Sequence, residues 1–246
     1  MGHVGDPLLM PGHDTRAMFS RIAGRYDRVN TVLSLGLDEG WRRRSVRRAL
    51  ARPGLDVLDL CAGTGKVALA CCTAPHRPRL VVAADFAEPM LEAGHRSASR
   101  RGLPVTFVAC DCQRLPFRSA SFDVATCAFG VRNLVDLEAG LREAARCLRP
   151  GGSMVIMEFM NPGQRWARRL VSWYVKKAIP LLGGVLSGSW SAYRYLPDSI
   201  DRFLTPPELV RVLLDCGFES VETEERTLGV CSVFYATRGR EGWETR

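Results

Sequence analysis

Short apolar runs alternate with stretches of helical character from residue 55 onward. The apolar runs, which we predict to be strands, cover 55–60, 80–85, 105–110, 121–129 and 153–159. Between them, helices are predicted from Lys66, from Glu88 and over 137–148. Because strands connected through helices pair in parallel, the pattern predicts a doubly wound α/β sheet of the Rossmann-like type, with helices on both faces.

The end of the chain adds one helix and two strands to this pattern. The helix is predicted over 206–216, and the strands over 218–224 and 231–236 with a glycine-containing loop between them. Two strands joined by a short loop favour an antiparallel hairpin, which we expect at the edge of the sheet. The whole prediction is a seven-stranded, mostly parallel sheet.

Two further segments interrupt the alternation. Residues 15–52 are basic, with apolar residues at near-helical spacing and a second helix opening at Trp41, which predicts an N-terminal helical cap. Residues 163–205 are rich in Trp, Tyr, Arg and Lys and too long for a simple connection, so we expect a helical lid. The predicted organisation is a single domain over 15–238 between flexible tails at 1–14 and 239–246.

The composition limits the class of protein. A hydrophobic content of 46% and a charged content of 24% are ordinary for a globular domain, and no run approaches the ~20 apolar residues of a membrane-spanning helix. The first residues have no features of a secretory signal, so we expect a cytoplasmic protein. The nine cysteines show no zinc-type spacing, which favours reduced, buried thiols and no metal site.

The net charge of +8 predicts an anionic partner, either nucleic acid or a membrane surface. Residues 164–180 mix basic and aromatic side chains at helical spacing, which is typical of a helix lying in a membrane interface. The same segment could equally be an amphipathic lid packed on its own core. No Pro-Pro-aromatic motif follows the fourth strand and no RNA-binding appendage is evident, so nucleic acid is disfavoured.

Candidate cofactor residues stand at the ends of the predicted strands. Small residues over 61–65, including Gly63 and Gly65, let the backbone turn tightly beside a ligand. Asp85 ends the second strand, where a carboxylate can accept hydrogen bonds from both ribose hydroxyls. These features also fit a dinucleotide site, because the turn satisfies the GxGxx(G/A) pattern.

Asp59 favours S-adenosylmethionine over a dinucleotide. Its carboxylate precedes the turn, where it would attract the ammonium group of the methionyl moiety and repel a pyrophosphate. No Tyr-x-x-x-Lys pair of the short-chain dehydrogenase type is present. Asp111, after the third strand, could accept from the adenine amino group, with Cys112 beside it. The four elements together predict an S-adenosylmethionine-dependent methyltransferase.

Three further blocks resemble those of the ubiquinone/menaquinone biosynthesis C-methyltransferase family. They lie at 19–43, at 129–136 and at 193–200, and the resemblance extends over about residues 16–237. It implies methylation of a ring carbon of a prenylated benzoquinol or naphthoquinol, and self-association as a homodimer. It also implies cofactor contacts from Thr64, Asp85, Asp111 and Cys112, with Tyr26 covering the cofactor and Arg132 and Asn133 facing the quinol.

The sequence departs from the family pattern at four places, the last of which is the segment 204–209. Lys66 stands in place of the usual Asp, Ala128 in place of Ser, and Asp111-Cys112 in place of Asn-Ala. These departures leave the acceptor open between a benzoquinol, a naphthoquinol and a soluble phenolic metabolite. A non-catalytic scaffold in a quinone-synthesis complex is a further alternative.

Carbon methylation requires an electron-rich ring. An ionised quinol places negative charge on the ortho carbon, so fixed donors at the phenolate oxygen would assist the reaction. Arg132 is predicted to stabilise the phenolate and Asn133 to orient it. A guanidinium is not a base, so the proton is expected to leave through water or through a carboxylate, for which Asp27 and Asp136 are the candidates. In the alternative, the Arg-Asn loop pairs with Asp136 and only braces the fold.

Overall fold

The computed structural model describes residues 31, 34, 36–160 and 199–240, and in these ranges strands and helices alternate as the apolar pattern predicts. The strands are β1 to β7, in order Asp56–Leu60, Leu80–Asp85, Thr106–Ala109, Phe122–Ala128, Leu148–Phe159, Phe218–Arg226 and Cys231–Arg238. The helices are α1 to α5, in order Leu37–Ala49, Lys66–Cys72, Glu88–Arg100, Leu137–Cys147 and Pro206–Asp215. A short 3-10 helix covers Val131–Asn133.

All seven strands form one sheet in the order β3-β2-β1-β4-β5-β7-β6. Strands β1 to β5 are parallel, whereas β7 runs antiparallel to both β5 and β6. The predicted fold class is therefore confirmed, including the hairpin at one edge. The strand order reverses between β1 and β4, and open α/β sheets bind ligands in the crevice outside the carboxyl ends of such strands.

Two boundaries differ from the sequence-based prediction by more than two residues. Helix α1 begins at Leu37 rather than Trp41, directly after Gly36, whose φ of 74° is easily reached by glycine. Strand β5 begins at Leu148 rather than at residue 153. Residues 149–152, which were not assigned to a predicted helix or strand, form an irregularity within the strand, because Phe122 faces Leu148 whereas Val124 already faces Ser153.

Apolar side chains fill both faces of the sheet. On one face, α4 and α5 contribute Leu141, Leu209 and Leu213, none of which is accessible to solvent. On the other face, α1 and α2 pack Val46 and Val67 against the first strands. Burying each large aliphatic side chain contributes about 1.5–3 kcal/mol, so these two layers hold the strand ends in a fixed arrangement.

Several predicted regions lie outside the described residues. They are the tail at 1–14, the first part of the cap with Tyr26 and Asp27, residues 163–198 of the lid and residues 241–246. The predicted division into cap, lid and tails therefore stays a prediction. Among the described helices, none combines the length and the apolar content needed to cross a bilayer.

Candidate cofactor site

An open cavity lies at the carboxyl ends of β1, β2 and β4. It spans about 760 Å³ of space between the atoms and is open to solvent at its mouth. The residues that line it come from α1, from the turn after β1 and from the segments after β2 and β4. They are Arg42, Asp59, Cys61, Ala62, Gly63, Thr64, Lys66, Val67, Asp85, Phe86, Met90, Ala128, Phe129, Gly130, Asn133 and Leu134.

The turn between β1 and α2 is shaped by close packing. Gly65 has a φ of 74°, and a Cβ atom there would lie 2.9 Å from the ring of Phe107. Gly94 of α3 is more crowded, because a Cβ atom would lie 2.6 Å from the same ring and 2.7 Å from the carbonyl oxygen of Thr64. Glycine at both positions lets α3 and β3 press the turn against the sheet, so its backbone borders the cavity.

Asp85 connects this turn to the end of β2. Its Oδ2 accepts a hydrogen bond of 2.8 Å from the backbone N–H of Gly63, and its Oδ1 accepts one of 2.8 Å from the N–H of Ala87. Burial raises the pKa of Asp85, although these hydrogen bonds lower it. A carboxylate has about four acceptor positions, so Asp85 can hold the turn and still accept from a ligand.

Asp59 lies deeper in the same wall, at the end of β1. Its Oδ1 accepts from the hydroxyl of Thr126 at 2.7 Å and its Oδ2 from the N–H of Ala68 at 3.1 Å. Burial raises the pKa of Asp59 to about 7, while the two hydrogen bonds and the charge of Arg42 lower it. Near neutral pH this carboxyl group therefore changes charge at the cavity wall.

Arg42 is a site residue that the sequence analysis did not identify. It belongs to α1, is 6% exposed, and donates from Nη2 to Oδ2 of Asp38 at 2.7 Å. Burial raises the pKa of Asp38, but the hydrogen bond from Ser34 and the charge of Arg42 outweigh it, so the net shift is downward. The only signal in the sequence was the Trp41-Arg42-Arg43 block of the family resemblance, to which no role was attached.

The segment after β4 forms the opposite wall. Phe129 has a φ of 59°, a left-handed conformation that is unusual for a non-glycine residue. Its carbonyl oxygen accepts from Arg132 Nη1 at 3.1 Å and from Asn133 Nδ2 at 3.4 Å, and both contacts fix the turn. At Gly130 a Cβ atom would lie 2.4 Å from Cβ of Cys61, so the two walls meet here in direct contact.

The two predicted catalytic residues have different positions. Asn133 lines the cavity, as expected for a residue that orients an acceptor. Arg132 is not among the lining residues; its side chain is 5% exposed and forms an ion pair with the fully buried Glu158 at the end of β5. In this arrangement the guanidinium points toward the sheet and not into the cavity. A direct contact between Arg132 and the acceptor therefore stays a prediction.

The alternative partner predicted for this loop is wrong. Asp136 does not pair with Arg132; its Oδ1 accepts from the N–H of Ala139 at 2.9 Å and caps α4. The partner of Arg132 is Glu158, which also accepts from the backbone N–H of Phe159 at 2.9 Å. Burial raises the pKa of Glu158, while the charge of Arg132 lowers it.

Asp111 and Cys112, predicted to contact the adenine, do not line the cavity. The carboxylate of Asp111 accepts from the backbone and side chain of Gln113, at the exposed end of β3. The buried thiol of Cys112 lies 3.8 Å from that of Cys61, which itself lines the cavity. Cys112 therefore supports the cavity floor, and its contact with a cofactor stays a prediction.

The chemistry of the cavity fits S-adenosylmethionine. Asp59 and Arg42 offer opposite charges to an amino acid, and Asp85 offers acceptors to a ribose. Among the described residues, Nη1 of Arg42 is buried without a hydrogen-bond partner. Because buried donors are normally paired, this nitrogen is a candidate donor to a ligand. Residues Asp59, Gly63, Thr64, Gly65 and Asp85, all expected at the cofactor, lie on or beside this one cavity.

Solved structures share the fold of this protein. A S-adenosylmethionine-dependent methyltransferase from Aquifex aeolicus is similar with a TM-score of 0.55 and 18% identity, covering 76% of this chain and 84% of that one. The [4+2]-cyclase SpnF has a TM-score of 0.69 at 14% identity, covering 94% and 97%. These likenesses show the fold alone, and the cyclase illustrates that the fold does not fix the reaction.

Sequence relatives are more specific. The model of the ubiE/COQ5 methyltransferase family matches residues 12–238. A demethylmenaquinone methyltransferase of Thermus thermophilus is 44% identical over 222 residues, covering 90% of this chain and all of that protein. A ubiquinone/menaquinone biosynthesis C-methyltransferase, UbiE, of Geobacter sulfurreducens is 37% identical over 236 residues, covering 94% and 91%.

Fold and site together define a methyltransferase of the Rossmann-like class. Because the family model and the relatives extend over almost the whole chain, the protein belongs to the ubiE/COQ5 methyltransferase family. The family expected from the three sequence blocks is thereby confirmed, and so is the prediction that the chain is an S-adenosylmethionine-dependent C-methyltransferase.

Proposed function

We propose that this protein transfers a methyl group from S-adenosylmethionine to a ring carbon of a prenylated quinol, with demethylmenaquinol as the first acceptor to test. The observation that carries the proposal is full-length similarity to relatives named for this chemistry, supported by a cavity that is lined by Asp59, Gly63, Thr64 and Asp85. Both relatives are named for menaquinone and only the second is also named for ubiquinone, which favours a naphthoquinol as the first acceptor to test.

The residues of the first wall would hold and orient the cofactor. S-adenosylmethionine supplies an electrophilic methyl group on its sulfonium. Asp59 in its ionised form attracts the ammonium group, Asp85 accepts from the ribose hydroxyls, and the backbone of Gly63 to Gly65 allows close approach. Fixing both reactants in one geometry contributes a large part of the acceleration of such a transfer.

The segment after β4 would serve the acceptor. Asn133 lies on the cavity wall and can donate to a phenolate oxygen, which favours the ionised ring that attacks through carbon. Arg132, held by Glu158, fixes the carbonyl of Phe129 and with it the position of Asn133. In this proposal Arg132 is a positioning residue, because its own charge is balanced by Glu158.

The experiment uses labelled S-adenosylmethionine with demethylmenaquinol or a demethylated benzoquinol, each kept reduced, and with the oxidised quinones as matched controls. We expect transfer to the reduced naphthoquinol and none to the oxidised ring, whose carbon is too electron-poor to attack. Cofactor binding without transfer to either quinol would refute the proposal and favour a soluble phenolic acceptor. A chain that binds no cofactor would favour the scaffold alternative.

We also propose that the protein meets its acceptor at an anionic membrane surface. A polyprenyl tail resides in the bilayer, and helix α1 presents Arg43, Arg44 and Arg47 to solvent on one side of the molecule. Sedimentation with vesicles that contain anionic lipid should show binding at low salt that weakens as salt screens the charges. No binding at low salt would refute this part, and light scattering would test the expected homodimer.

A further inference from the structure

The side chain of Arg42 lines the cavity and is held in place by contacts with both cavity walls. Its Nη2 donates to Asp38 at 2.7 Å, and Asp38 in turn accepts from the hydroxyl of Ser34 at 2.7 Å. Its guanidinium carbon lies 6.0 Å from the centre of the Phe129 ring, on the other wall. The side chain is 6% exposed, so its orientation is fixed before any ligand binds.

One nitrogen of this guanidinium is not used within the described residues. Nη1 is buried and has no hydrogen-bond partner there; a carboxylate oxygen of Glu39 is 3.8 Å away, beyond hydrogen-bond distance. A buried donor without an acceptor costs free energy, more so when it is charged. Since Arg42 lines the cavity, an anionic ligand group in the cavity would satisfy this donor.

The charge on the neighbouring wall identifies the ligand group. Arg42 and Asp59 line the same cavity and interact electrostatically, so a positive and a negative side chain face one volume. An α-amino acid presents the complementary pair, an ammonium and a carboxylate joined to one carbon. We infer that Arg42 binds the α-carboxylate of S-adenosylmethionine through Nη1, while Asp59 faces the ammonium; this inference rests on the cofactor of the proposed function.

Lys66 is the competing cation on the cavity wall. Its Nζ lies 3.1 Å from the hydroxyl of Thr31 at an exposed position, and its side chain is only partly buried. A guanidinium presents donors in a rigid plane that matches a carboxylate, whereas an exposed ammonium is strongly hydrated and flexible. We therefore expect the buried guanidinium of Arg42, and not the ammonium of Lys66, to bind the carboxylate. Substituting each residue in turn distinguishes the two possibilities.

The experiment measures binding by calorimetry, without any acceptor. The probes are S-adenosylmethionine and its decarboxylated analogue, which lacks only the carboxylate. For the wild-type protein we expect the complete cofactor to bind on the order of ten to a hundred times more tightly, as for one charge-assisted hydrogen bond. In Arg42→Gln the ratio of the two affinities should fall to within about threefold of one. The complete cofactor loses its contact with the guanidinium and binds more weakly, whereas the affinity of the analogue changes little.

Two other variants make the comparison specific. Arg43→Gln removes the same charge from the next position of α1, where the side chain is 74% exposed, and should keep the wild-type ratio. Lys66→Gln should also keep it. Because Arg42→Gln leaves Asp38 buried and unpaired, the double variant Asp38→Asn/Arg42→Gln is measured beside it, with folding checked by thermal unfolding.

Three outcomes would overturn the inference. They are equal wild-type affinity for both probes, a ratio lost in Lys66→Gln but kept in Arg42→Gln, or an Arg42 variant that changes only the KM for the quinol. The first outcome needs no variant, so the inference stays testable if the substituted proteins do not fold. A protein that shows the expected ratios but methylates no quinol would refute the proposed acceptor and leave this inference standing.

Discussion

Replacing Asp59 with asparagine removes a charge from the cavity while keeping the side chain's shape. In the variant, the amide oxygen can accept from the N–H of Ala68 and the amide nitrogen can donate to the hydroxyl of Thr126, so both internal contacts have a counterpart. The substitution therefore isolates the electrostatic role of the carboxylate toward the ammonium of the cofactor.

The expected magnitude follows from the pKa of Asp59, which burial raises to about 7. In the free protein this group is protonated below that pH, and a bound ammonium favours the ionised form. Wild-type affinity should therefore fall by up to about tenfold for each pH unit below 7. At pH 7.5 the variant should bind on the order of ten to a hundred times more weakly than wild type, the worth of one charge-assisted contact.

Titration calorimetry with S-adenosylhomocysteine between pH 5.5 and 7.5 measures both effects, since the α-ammonium of the ligand is largely charged over this range. The affinity of Asp59→Asn should be low and nearly independent of pH. A wild-type affinity that is flat below pH 7, or a variant that binds like wild type at pH 7.5, would refute the assignment of Asp59 to the ammonium.

Protein stability provides an independent check on the same carboxyl group. The folded protein keeps a proton on Asp59 that the unfolded chain loses near pH 3.8, so the stability from this proton is fully present below pH 3.8 and is lost as pH rises to about 7. As pH rises from about 3.8 to about 7, wild type loses this stabilisation and Asp59→Asn does not. The free energy of unfolding of the variant should therefore increase relative to that of wild type, by as much as about 4 kcal/mol. A constant difference between pH 4 and 7 would contradict the raised pKa.

Three further changes test the supports of the site. Glu158→Gln leaves a buried guanidinium without its counter-charge and should lower the free energy of unfolding by about 3 kcal/mol in urea titrations; an unchanged midpoint would contradict a stabilising pair. Gly94→Ala should cost about 1–3 kcal/mol and weaken cofactor binding, because its Cβ atom would meet the carbonyl of Thr64, whereas Gly40→Ala in open space should be neutral or stabilising. Thr205→Ala removes a capping box and should lower stability by about 1 kcal/mol in thermal unfolding.

The strands and the first cofactor residues could be predicted because their signals are local. Strand β1 is buried at every position, and Val57, Leu58 and Leu60 mark it as apolar, while Asp59 stands out as the acid next to its last residue and Asp85 as the acid that ends β2. Parallel pairing then brings their carboxyl ends to the same edge of the sheet. The glycines of the turn after β1 could be predicted for the same reason, because their spacing is a local feature of the sequence.

The roles of Arg42 and Glu158 could not be predicted from their surroundings in the sequence. Arg42 is one of several arginines in a basic stretch, and only the packing of α1 against the sheet buries it while its neighbour Arg43 stays exposed. Glu158 lies 26 residues after Arg132, on the adjacent strand, whereas Asp136 is close in sequence but is used as a helix cap. Long-range pairing of charges depends on strand order, which local patterns do not specify.

The position of the transferred methyl group decides whether this protein is a quinol C-methyltransferase. After reaction of demethylmenaquinol with isotopically labelled S-adenosylmethionine, the product is analysed by mass spectrometry and by carbon NMR. We predict that the label is on the unsubstituted carbon of the quinol ring next to the carbon that bears the prenyl chain. A label on oxygen, or a product formed only from a soluble phenol, would contradict it.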